Sequence, residues 1–132
     1  MEIAEFLLAR VAEDEQVART VRVQKSWDYD GGWTIGEPYD EVCESNDAES
    51  LEHIARWDPA RVLAECEAKR RIVAEHPGTV QCETCLDHED SEEGPEGDAY
   101  NYVVMKGAPC PTLRLLALPY ADHADYREEW RP

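Results

Sequence analysis

The chain has 132 residues, enough for one ordinary domain and too few for two. With 30 acidic residues against 13 Lys and Arg, its formal charge is −17, which opposes binding to nucleic-acid phosphates or anionic lipid through a basic surface. No apolar run approaches the roughly 20 residues needed to cross a bilayer, and the acidic start Met-Glu-Ile-Ala-Glu is the wrong flank for a secretory signal, so the expected location is cytoplasmic.

A hydrophobic content of 42%, with four Trp and six Tyr, predicts a packed core rather than a disordered acidic chain. Residues 2–21 have a helical period, with Ile3, Phe6, Leu7, Val11, Val17, Ala18 and Val21 on one side. Arg10 and Asp14 fall inside that stripe. They read as a surface pair at its edge, because a buried pair must offset a large desolvation cost. Residues 25–44 read as a small antiparallel sheet. Ser26-Trp27-Asp28-Tyr29 alternates, Asp30-Gly31-Gly32 suits a hairpin turn, Trp33-Thr34-Ile35 returns, and Pro38 sets off a third strand near 39–44. The aromatic residues here would suit a ligand-stacking platform. The reading adopted is that they give a tiny sheet its apolar area.

Residues 47–57 predict a short helix. Asp58-Pro59 then marks a new start, with Asp as N-cap and Pro in the first helical position, for a helix running to about His76. Val62, Leu63, Cys66 and Val73 share its apolar face, while Glu65 with Lys69 and Glu67 with Arg71 are acid-first pairs four apart. Lys69-Arg70-Arg71 lies in the last half of that helix, where cations complement the macrodipole, so a nucleic-acid patch is an unnecessary explanation. Residues 87–98 hold seven acids in twelve positions without the pattern of a calcium loop, and predict a mobile, solvated insertion. A strand is expected over 100–105. A short buried helix is expected over 110–118, ended by Pro119, and a terminal turn over 125–130 whose Tyr126 and Trp130 cover the core. The fold expected is α+β: a single domain over 1–132, with a small antiparallel sheet from 25–44 and 100–105 packed by three or four helices.

The five cysteines, Cys43, Cys66, Cys82, Cys85 and Cys110, are an odd number and a poor disulfide framework. Cys82-Glu-Thr-Cys85 has the spacing that aims two sulfurs at one point, as in a zinc knuckle. A thioredoxin-like redox pair would open a helix after a strand, and Pro77-Gly78 with the acidic stretch beyond do not supply that context. The bland alternative is two reduced thiols in a turn. Cys110 is stiffened between Pro109 and Pro111 just before an apolar helix. Three thiolates leave one tetrahedral position for a histidine, since structural zinc sites are closed by four protein ligands. His76 ranks first, because a Pro-Gly turn lets the chain fold back toward the knuckle. His88, three residues after Cys85, ranks second, then His123, then His53. The expected cofactor is one Zn²⁺ on His76, Cys82, Cys85 and Cys110, stapling the C-terminal half. Cys43, in a strand, and Cys66, on a helix face, read as small hydrophobes.

Two segments carry a family resemblance: His53-Ile-Ala-Arg-Trp-Asp-Pro-Ala-Arg-Val-Leu-Ala-Glu-Cys-Glu-Ala-Lys-Arg-Arg-Ile-Val-Ala-Glu-His76, and the run from Pro109-Cys-Pro-Thr-Leu-Arg-Leu-Leu-Ala-Leu-Pro-Tyr through Arg-Glu-Glu-Trp-Arg-Pro132. With Asp14-Glu-Gln16, they resemble a family of short acidic proteins of unknown function from actinobacteria and their bacteriophages. Where members of that family carry Thr-Pro-Gly-Pro-Trp after the first helix, this chain reads Thr-Val-Arg-Val-Gln-Lys-Ser-Trp. The resemblance implies His76, Cys82, Cys85 and Cys110 as a recurrent set, and implies no activity.

Three functional classes follow. The first is a zinc-stapled, non-enzymatic accessory or interaction module with a protein partner, possessing neither a nucleic-acid nor a membrane surface. The second is an acidic decoy whose carboxylates occupy a host protein's nucleic-acid surface in place of phosphates. The third is a zinc hydrolase, which needs an open coordination position and a positioned base. Glu83 fits no such pattern, and His123 beside Asp122 is half a triad with no accompanying nucleophile. The interaction module is the favoured reading.

Overall fold

The first helix, α1, spans Ile3–Thr20. The computed structural model describes residues 1–24, 27–32, 34–36, 41–76 and 109–132, and the backbone of 87–89 and 102–104. By internal packing the chain forms two compact units, residues 1–10 with 70–132 and residues 11–69.

In residues 11–69, β1 (Thr34–Ile35) pairs antiparallel with β2 (Cys43–Glu44), in the register Thr34 to Glu44 and Ile35 to Cys43. The expected reversal before β1 is present. Gly31 takes a φ of 90°, the Gly32 amide donates to Asp30 Oδ1 at 3.0 Å, and the Gly36 amide donates to the Asp28 carbonyl at 3.2 Å. Residues 27–30 are nevertheless not a ladder strand. Side-chain bonds hold this stretch instead: Trp27 Nε1 donates to the Val23 carbonyl at 2.9 Å, and its amide reaches Asp58 Oδ2 at 3.4 Å.

Helix α2 (Ala48–Arg56) begins where sequence chemistry places it. Asp47 Oδ1 accepts the amides of Glu49 and Ser50, both at 3.2 Å, and Oδ2 accepts the Ser50 hydroxyl at 2.6 Å. Helix α3 (Pro59–Glu75) starts with Asp58 Oδ1 accepting the Arg61 amide at 2.8 Å and Pro59 in the first turn, as its N-cap signature predicts. Glu65, expected to pair with Lys69, meets Arg61 one turn earlier, at 3.0 Å.

In residues 1–10 with 70–132, β3 (Asp87–Glu89) pairs antiparallel with β4 (Tyr102–Val104), with His88 opposite Val103. Among the described residues, the segments expected to form a single sheet from 25–44 and 100–105 pair instead as two two-stranded ladders, β1 with β2 and β3 with β4. The partner of β4 is the first part of the acidic stretch, whose composition had argued for solvated chain. The rest of 87–98 lies outside the described residues. Helix α4 (Pro111–Ala117) runs into a 3₁₀ turn at Leu118–Tyr120, so Pro119 tightens the chain rather than stopping it, and a second 3₁₀ turn closes at Glu128–Trp130.

The core of this unit joins Ile3, Phe6 and Leu7 of α1, Val73 of α3, Cys110, Leu113 and Ala117 around α4, and Trp130. Phe6 is its centre, with ring centroids at 5.1 Å from Trp130, 6.1 Å from Tyr126 and 6.3 Å from Tyr120. Helix α4 is not buried all round, as its apolar sequence suggested. Leu113 and Ala117 face the core, whereas Leu115 is 59% exposed. A seven-residue helix at the edge of a small unit has core on one side only.

Two predictions follow from these contacts. Phe6→Ala should cost about 3–5 kcal/mol in denaturant unfolding, because a fully buried ring is lost from a close-packed site; a cost below about 1 kcal/mol would contradict the packing described. The Asp47 carboxyl is held below its ordinary value by the Ser50 hydroxyl first, then by the Ser50 amide. Its contribution to α2 is thus present above about pH 4 and fades as pH falls through the lowered value. Asp47→Ala should lower the melting temperature at pH 7, with the deficit shrinking as pH falls through the lowered value of the carboxyl.

Candidate metal centre

His76 directly follows α3. Its amide donates to the carbonyls of Ile72 at 3.1 Å and Val73 at 3.2 Å, so the helix fixes where its ring departs. Cys110 is the N-cap of α4. Its backbone is extended (φ −61°, ψ 152°), and its carbonyl accepts the Arg114 amide at 3.2 Å. Pro111 in the first helical position presets this geometry.

These two side chains, far apart in sequence, meet. Cys110 Sγ lies 3.8 Å from His76 Nδ1, and both residues are buried, with 3% and 6% exposure. A slightly shorter separation suits two ligands of one zinc: bonds of about 2.3 Å to sulfur and about 2.0 Å to nitrogen at a tetrahedral angle leave the two atoms roughly 3.5 Å apart. Cys82 and Cys85 lie outside the described residues. Among the described residues, no three His, Cys, Asp or Glu side chains gather as a metal-binding group.

The other histidines are placed differently. His123 is next to Arg10, whose Nη1 is 2.7 Å from His123 Nδ1, and the Asp125 amide donates to the same ring nitrogen at 3.1 Å. His53 is exposed on α2, its ring 6.4 Å from that of Trp57. The backbone of His88 is in β3. Cys43 is half-buried in β2 and Cys66 is buried on α3, as their reading as packing residues requires.

Arg10 departs from its expected role at the surface. It is 7% exposed, its guanidinium lies 5.3 Å from the Phe6 ring centroid, and Asp125 Oδ2 is 3.9 Å from Nη1. The signal was present in the sequence, since Arg10 falls within the apolar stripe of α1. Desolvation argued against burial, and the acceptors that offset it come from more than a hundred residues away.

The family of unknown function DUF6221 matches residues 1–132. The chain belongs to this family. Neither the curated proteins nor the solved structures contain a match to it. Within this DUF6221 protein, no helix among the described residues is long and apolar enough to cross a membrane. The geometry that bears on chemistry is therefore its own: one buried thiol–imidazole pair at the junction of α3 and α4.

Cys66 and Cys43 provide a contrast within the same chain. Cys66→Ser should destabilise by about 1–3 kcal/mol, because a hydroxyl costs more to desolvate than a thiol at a fully buried position. Cys43→Ser should change stability by less than about 1 kcal/mol. Urea titrations of both variants check this, and a Cys66→Ser variant as stable as wild type would count against its packing role.

Proposed function

We propose that this protein is a small zinc-binding accessory or interaction module without catalytic activity, in which His76, Cys82, Cys85 and Cys110 hold one Zn²⁺. The observation that carries the reading is the contact of His76 with Cys110. Two of the four residues selected by spacing are buried side by side, at close to the separation of adjacent zinc ligands. The donor set, one imidazole and three thiolates, suits Zn²⁺ in a closed structural site and leaves no position for a reacting water.

Bound there, the metal would tie the end of α3 to the start of α4 through the segment carrying Cys82 and Cys85. Its binding free energy would add directly to that of folding. The partner we infer is a protein, since a charge of −17 disfavours nucleic acid and anionic lipid alike. The resemblance to short actinobacterial and bacteriophage proteins is what suggests an accessory role of phage origin.

The test is metal analysis of protein purified under reducing conditions without chelator. One equivalent of zinc is expected. Cys82→Ser and His76→Ala should lose it, and Cys43→Ser should keep it. Wild-type protein without metal would end the zinc reading. Zinc that survives His76→Ala but not His88→Ala or His123→Ala would replace the fourth ligand.

A further inference from the structure

We draw no further inference here: the strongest candidate, the apolar cavity that Trp27 and Trp57 line with aliphatic side chains of α1 and α3 in residues 11–69, has Asp14 already engaged within the protein and the Trp57 ring face covered by the Arg61 guanidinium, and nothing in the structure shows what fills the rest.

Discussion

The packing around Phe6 is the constraint on which the unit of residues 1–10 and 70–132 depends. The stretch from Leu118 to Trp130 has only two 3₁₀ turns of regular structure, too little backbone pairing to order itself. Its position comes from side chains: Tyr120, Tyr126 and Trp130 against the Phe6 ring, His123 and Asp125 beside Arg10, and the Trp130 carbonyl accepting from Arg114 Nε at 3.3 Å. The same core contains Val73 and Cys110. The thiol–imidazole contact is thus set by hydrophobic packing, and a metal arriving there would meet two donors already positioned.

The sequence was most legible where local chemistry decides. Asp47 and Asp58-Pro59 marked two helix starts because an N-cap acts over three residues. The apolar period of α1 and the face of α3 named core positions, since one period controls burial along a whole helix. Strand pairing was less legible. Aromatic alternation at 26–29 suggested a ladder, but Trp27 is held by Val23 and Asp58, and such bonds leave no trace in a period-two pattern. The pairing of Asp87–Glu89 was hidden for a related reason, since composition measures solvation and not backbone partners.

The candidate site was legible as a set of types and only partly as an arrangement. Two-residue spacing singled out Cys82 and Cys85, and flanking prolines singled out Cys110, because both restrict the backbone. Which histidine meets Cys110 needed three dimensions. His76 does, because α3 ends beside the core that contains Cys110. His123 is next to Arg10, whose burial the apolar stripe of α1 signalled but whose partners it could not name.

The order in which the core is assembled follows from its composition. Phe6 and Trp130 are far apart in sequence, yet they share one cluster. Until residues 110–130 have been made, the apolar face of the first turns of α1 lacks the part of its core that they supply. Contacts of such long sequence separation slow folding, because the loop between them must close before any of its reward arrives. A chain that has not yet closed this contact exposes part of the apolar surface of Ile3, Phe6 and Leu7, and the dense negative charge of the intervening sequence is well suited to keeping such chains apart from one another.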